Sequence, residues 1–187
     1  MTTTTGYTRR GLLGAFAATA IAAAPTFSSA AGFLRGAGDI RRLKMYSSKS
    51  GEQIDTIYWI DGEYITDALA EINYLMRDSR NGQIKRIDTR TIDIMAAAHN
   101  IMDVSEPYLL LSGYRSPATN AMLRRSSRNV AKNSLHMSGQ AADLRLASRS
   151  VKQMARAASS CRAGGVGSYY GSNFVHMDCG TVRTWRG

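Results

Sequence analysis

The chain has 187 residues, a formal charge of +10, two cysteines and three histidines. That length suits one domain with a proper core. Apart from one apolar run near its start, it has no long apolar segment, no repeat and no low-complexity tract, which excludes a multi-span membrane protein and a repeat array.

The first residues read "MTTTTGYTRRGLLGAFAATAIAAAPTFSSAAG". Arg9 and Arg10 precede an uncharged run from Gly11 to Ala24, and small residues follow at Ser29, Ala30 and Ala31. This is the pattern of an export signal, with cleavage expected near Ala31; the run is short for a membrane span. The paired arginines resemble the twin-arginine export type. An uncleaved anchor is the alternative. The expected division is therefore a signal over residues 1–31 and a mature domain over 32–187, with an N-terminal arm over 32–65. Cleavage lowers the net charge from +10 to +8. The mature protein is expected in a bacterial periplasm, without stable membrane insertion. Its basic charge suits anionic lipid, acidic wall polymer or nucleic acid, and the compartment disfavours the last. An oxidising compartment also permits a disulfide, but spacing does not choose between a Cys161–Cys179 bridge and two buried thiols.

In the mature chain, Lys44–Ser47 and Asp55–Ile60 are β-prone runs parted by a polar turn at Ser50-Gly51, which read as an N-terminal strand pair or arm. A helix follows in "TDALAEINYLMRDSR", with Thr66 or Asp67 as cap, Leu69, Ile72, Leu75 and Met76 on one face, and Gly82 as its stop. A second helix runs from Arg90 through "TIDIMAAAHNIMD" and carries His99, read as a structural or surface histidine. Tyr108–Leu111 forms a short strand opening into "SGYRS". The helix "PATNAMLRRSS" begins at Pro117, well placed for a first turn. A loop over Lys132–Ser138 leads into a buried strand, "QAADLRL". The helix "SRSVKQMARAASS" turns Val151, Met154 and Ala157 or Ala158 inward, and two strands follow at Gly165–Tyr169 and Phe174–Cys179. The order predicts a small single α+β domain: a central antiparallel sheet, strands gathered in the later half, helices on one face.

The chemistry-bearing stretch is "NSLHMSGQAADLRL", which sets His136 seven residues before Asp143. Asp143 lies in an apolar strand, where a buried carboxylate needs a strong partner. Strand alternation sends Phe174, His176 and Asp178 to one face and Val175, Met177 and Cys179 to the other. A His and an Asp on one face make sense if that face opens on a cleft. Two histidines and a carboxylate suit a hydrolytic zinc site with one position left for water. The plainer reading has His136 capping Asp143 and His176 bonded to Asp178. Asp178 is within strand reach to serve as the base for water. Arg115 is placed to bind a substrate carboxylate or stabilise an oxyanion, unless it is a surface arginine.

"SGYRSPATNAML", "SLHMSGQAADLRL" and "GGVGSYYGSNFVHMDCG" together resemble the M15 zinc peptidases, and more closely the exported murein endopeptidase K group. "GEQIDTIYWIDGEYITDALAEINYLMRDSR" and "IDTRTIDIM" add to the likeness, which spans roughly residues 40–187. The group's His-x-x-Gly-x-Ala-x-Asp pattern is matched by His136, Gly139, Ala141 and Asp143. The resemblance implies the fold of the Hedgehog domain and the D-alanyl-D-alanine metallopeptidases, with Zn2+ held by His136, Asp143 and His176. It implies that Arg115 faces the substrate near the scissile bond. The substrate it implies is the peptidoglycan stem peptide, cut at diaminopimelate–diaminopimelate crosslinks and less selectively at D-alanine–diaminopimelate ones. A D,D-carboxypeptidase or D,D-endopeptidase, or a non-catalytic zinc-containing wall-binding module, are the alternatives. Many relatives carry a glutamate or histidine shortly before the last ligand. Here Asn173 and Phe174 stand there, which leaves the base open, with Asp178 as the candidate.

Overall fold

The computed structural model describes residues 38–127 and 129–187; the expected signal lies outside them. The elements are β1 (Ile40–Tyr46), β2 (Gln53–Ile60), β3 (Glu63–Tyr64), α1 (Thr66–Leu75), α2 (Thr89–Met102), β4 (Tyr108–Ser112), α3 (Pro117–Ser126), a 3₁₀ turn (Leu135–Ser138), β5 (Ala141–Arg145), α4 (Val151–Ser160), β6 (Gly165–Tyr169), β7 (Phe174–Asp178) and β8 (Arg183–Arg186). All strands join one sheet in the order β3-β2-β1-β4-β5-β7-β6-β8.

The α+β architecture is as expected, with one correction to the sheet. It is mixed rather than antiparallel: β1 runs parallel to β4, and β8 parallel to β6. Five of the eight strands lie in the later half of the chain. β1 and β2 form an antiparallel N-terminal strand pair, and β1 joins it to the rest of the sheet through β4. In β1 the alternation buries Arg41, Leu43 and Met45. Arg41 is tolerable there because Asp93 on α2 accepts from it at 2.8 Å and from the hydroxyls of Tyr58 and Tyr64 at 2.9 and 2.7 Å. A buried ion pair is sustained only when its remaining lone pairs are satisfied in this way.

The central strands have two unlike faces. Ala142 and Leu144 of β5, with Val175 and Met177 of β7, belong to the hydrophobic core. α2 and α4 pack together and against β7 over that core. α4 presents Val151, Met154, Ala157 and Ala158, as its periodicity predicts, and opens with a capping box between Ser150 and Gln153. The opposite face of β5 and β7 carries Asp143 and His176, so the helices buttress the sheet from behind and leave that face for chemistry.

α1 departs from its sequence reading at both ends. Its N-cap is Ile65, with no side-chain cap from Thr66 or Asp67. It ends at Met76 rather than Gly82. Beyond it the buried Asp78 carboxylate accepts from the backbone of Arg80 at 2.9 Å and of Ser116 at 2.8 Å, an alternative to helical bonding that draws the chain into a turn. Leu69 is only half-buried; Ala68, Ile72 and Leu75 form the inward face. His99 is structural, with Nε2 2.7 Å from the Glu106 carbonyl and its ring edge-on to Tyr108. Cys161 and Cys179 are separate buried thiols. No helix among the described residues is long and apolar enough to cross a membrane.

Candidate metal centre and its cleft

Three segments deliver the candidate cluster. Asp143, at the middle of β5, is paired in register with Ser112 on β4 and His176 on β7. Directly opposed residues on one sheet face bring their side chains together. His136 arrives from the 3₁₀ turn, whose first turn is capped by Ser134. That turn ends on Gly139 at φ +73°, where a Cβ would also lie 2.4 Å from the Arg86 carbonyl oxygen. Gly139 is thus required by both backbone sign and space.

His136 Nε2, His176 Nδ1 and Asp143 Oδ1 form a triangle with sides of 3.2, 3.2 and 2.9 Å. Zinc bonds of about 2.0–2.1 Å place neighbouring tetrahedral ligands about 3.3 Å apart, so the triangle has the size of one tetrahedral face. The outer contacts fix what the inner atoms present. His136 Nδ1 lies 2.7 Å from the Gly113 carbonyl oxygen, which can only accept, so Nδ1 carries the proton. His176 Nε2 lies 3.0 Å from Asp178 Oδ2, so its proton is outward as well. When both rings are neutral, they aim two lone pairs at a carboxylate oxygen. Three converging lone pairs repel unless a cation or a proton lies among them. Burial holds His136 towards its neutral form. Burial also opposes charge on His176, but hydrogen bonds to Asp143 and Asp178 outweigh it and raise its pKa. The set fits a divalent metal, with a carbonyl and a carboxylate orienting the two imidazoles.

Arg115 closes the other side of Asp143. Its Nη2 donates to Asp143 Oδ2, and its Nε donates to Ser112 Oγ at 2.7 Å. The sequence reading gave Arg115 to the substrate; here one edge of its guanidinium is already committed to holding Asp143. Asp178, the expected water-activating carboxylate, lies behind His176. It is fully buried and does not line the cleft. Its oxygens accept from Gly165 N, Gly180 N, both Nη atoms of Arg183 and His176 Nε2. Burial pushes this carboxyl up, but the bonds from His176 and Arg183 overcome that and hold it below the usual carboxylate range.

The cluster opens into a cleft of about 410 Å³. One wall includes Asn129, Val130, Asn133 and Leu135; the other is aromatic, with Tyr169, Phe174 and Trp185. Tyr169 and Phe174 stack with centroids 4.4 Å apart, and Trp185 lies 5.3 Å from the His176 ring. Asp143 is the one carboxylate among the described lining residues, whereas Arg115 and Arg183 both line it. Sequence reasoning missed β8, which brings Arg183 and Trp185 to the cleft. The alternation in "VRTW" was the available signal, without an apolar face to mark it.

A family model described as peptidoglycan L,D-endopeptidase MepK, of the peptidase M15 type, matches residues 35–185. The chain is 41% identical over 145 residues to the peptidoglycan L,D-endopeptidase MepK of Escherichia coli K12, covering 78% of this chain and 80% of that protein. It is 37% identical over 148 residues to a probable peptidoglycan L,D-endopeptidase MepK of Haemophilus influenzae, covering 79% of this chain and 80% of that one. The mixed sheet, the His136–Asp143–His176 cluster and these matches agree: the chain belongs to the M15-type peptidase family described as peptidoglycan L,D-endopeptidase MepK.

Proposed function

We propose that this peptidase is an exported, zinc-dependent peptidoglycan endopeptidase. Its proposed substrates are stem-peptide crosslinks between two diaminopimelate residues, and less selectively those between D-alanine and diaminopimelate. The observation that carries the reading is the convergence of three lone pairs, 2.9–3.2 Å apart, in a cleft of about 410 Å³. The names of the relatives support the substrate class. The paired arginines at Arg9 and Arg10 support export by the twin-arginine route to the periplasm.

In this reading His136, Asp143 and His176 hold the zinc, which supplies an acidified water and polarisation of the scissile carbonyl. Gly113 and Asp178 accept the outward N–H groups of His136 and His176, which leaves His136 Nε2 and His176 Nδ1 as the ligating nitrogens. Asp178 is a positioning residue here rather than the base: each of its oxygens is already saturated. Arg115 fixes Asp143 through one edge, and its Nη1, which has no partner among the described residues, is available to oxygen developing negative charge. The aromatic wall packs the stem peptide and excludes water.

The test is digestion of purified crosslinked muropeptides by zinc-loaded protein, followed by mass analysis. Loss of 3–3 crosslinks, with slower loss of 4–3 crosslinks, is expected. Survival of the 3–3 species while the 4–3 species disappears would transfer the reading to a D,D-endopeptidase. Release of terminal D-alanine alone would mark a D,D-carboxypeptidase.

A further inference from the structure

We propose that Arg183 is a specificity-determining residue that binds a free carboxylate of the substrate at the His176 end of the cleft. The inference deepens the endopeptidase reading and rests on it for the identity of the peptide. A guanidinium carries five N–H donors. Nη1 of Arg183 donates to Asp178 Oδ1 at 3.1 Å and to the Thr181 carbonyl at 2.8 Å; Nη2 donates to Asp178 Oδ2 at 2.7 Å. The terminal edge is thus spent on Asp178. The Nε hydrogen and the second Nη2 hydrogen have no partner among the described residues. These two point side by side, and parallel N–H pairs of this kind bind carboxylates bidentately.

The fork is also rigid and accessible. Asp178 is fully buried and fixes one edge of the guanidinium, while the guanidinium face lies over Trp185 at 4.8 Å. The Arg183 side chain is nonetheless 43% exposed, and it lines the cleft. An arginine restrained in this way loses little freedom when it takes a ligand. A simple structural role for Arg183, neutralising Asp178, would need only the edge already engaged.

Position gives the chemistry. Ser112, Asp143 and His176 lie on adjacent strands β4, β5 and β7. Arg115 contacts this row at Asp143, and Arg183 reaches its other end through Asp178. A peptide lying across the cleft meets a cation on each side of the cluster, with no carboxylate beyond Asp143 among the described lining residues to repel it. A diaminopimelate crosslink presents a free carboxylate beside its amide; a peptide in which that carboxylate is a primary amide offers the fork one acceptor and one donor where it needs two acceptors. The amidated peptide is therefore rejected.

The experiment compares two synthetic crosslinked peptides that differ only in carboxylate against carboxamide at that position. It uses wild-type protein and Arg183→Lys, which keeps a cation for Asp178 but removes the fork. The wild type is expected to prefer the acid by roughly 10- to 100-fold in kcat/KM, the range of a charge-assisted pair. Arg183→Lys should retain zinc and lose most of that preference, chiefly through KM. Equal losses on both peptides, with the preference intact, would mean that Arg183 acts only through Asp178, and would overturn the proposal. Calorimetric titration of zinc-loaded wild type with the cleaved acid and amide products covers the case of an unfolded variant: equal affinities overturn the proposal. If neither crosslinked peptide is hydrolysed but the acid product still binds more tightly, the endopeptidase reading fails while the carboxylate site stands.

Discussion

Asp178→Asn separates a positioning carboxylate from a catalytic base. The carboxylate accepts five hydrogen bonds: from Gly165 N at 3.1 Å, Gly180 N at 2.9 Å, Arg183 at 3.1 and 2.7 Å, and His176 at 3.0 Å. An amide keeps one oxygen and replaces the other with a donor. With the NH2 towards His176, it faces Arg183 Nη2 and His176 Nε2, and it favours the ring tautomer with a proton on Nδ1, pointing into the metal position. Flipped, it faces Gly165, Gly180 and Arg183 instead. Either way at least two donors lose their acceptor inside the protein. At about 1–2 kcal/mol each, with Arg183 half open to solvent at the low end, the loss is about 2–4 kcal/mol. For a domain of this size that lowers Tm by about 5–15 °C. Zinc affinity should fall about 10- to 100-fold, the usual effect of losing an outer carboxylate partner. The assay is a chelator-competition titration beside turnover at low and high zinc. A positioning role predicts weakened zinc binding and activity that recovers as zinc is raised. Unchanged zinc affinity and melting, with turnover down a hundredfold at every zinc concentration, would show that Asp178 acts on the water and refute the reasoning.

Chelation should lower Tm, and zinc at about 100 times its Kd should restore about 3 kcal/mol, because the cation joins three separate segments and relieves their lone-pair repulsion; differential scanning calorimetry with and without chelator checks this. Asp88 accepts from Arg90 N at 3.0 Å as the N-cap of α2, so Asp88→Ala should cost about 1 kcal/mol while Asp88→Asn retains most of it. The side-chain bond from Arg90 holds the Asp88 carboxyl at about 2, so its ionic contribution is present above the unfolded value near 4 and fades as pH falls through about 2; denaturant titrations from pH 6 to 2 should show the Asp88→Ala penalty shrinking. Burial pushes the Cys161 thiol up to about 11 and raises that of Cys179, so native protein should react with a thiol reagent at least tenfold more slowly than unfolded protein, and both thiols should titrate after denaturation without reductant.

The cluster was legible because its determinants are local and periodic. Alternation in "AADLR" and "FVHMD" separates Ala142, Leu144, Val175 and Met177, which the core takes, from Asp143 and His176, which it does not. A polar residue at a core position would have had no partner, so the polar face had to open on something. Alternation also put Asp178 on that face, yet could not tell the cleft from the covered end of the strand. What covers Asp178 is the β6 backbone at Gly165, the turn at Gly180 and Arg183 from β8, partners brought by pairing rather than by pattern.

The same limit explains the sheet. Antiparallel neighbours such as β6 and β7 announce themselves through a short connection, whereas the parallel pairs β1–β4 and β6–β8 join segments with other elements between them. Such pairs leave no local trace, so β8 stayed unread and with it Arg183 and Trp185. Yet β8 completes the site from the far edge: Trp185 lies opposite Gly167, whose missing side chain leaves room for the indole against the sheet. The candidate metal-binding cluster is encoded near its own residues, while their setting is encoded in strands that meet only once the sheet has formed. Changes in β8 should therefore alter how tightly metal and substrate are held before they alter whether the central strands fold, because β5 and β7 draw their buried residues from the helical side of the sheet.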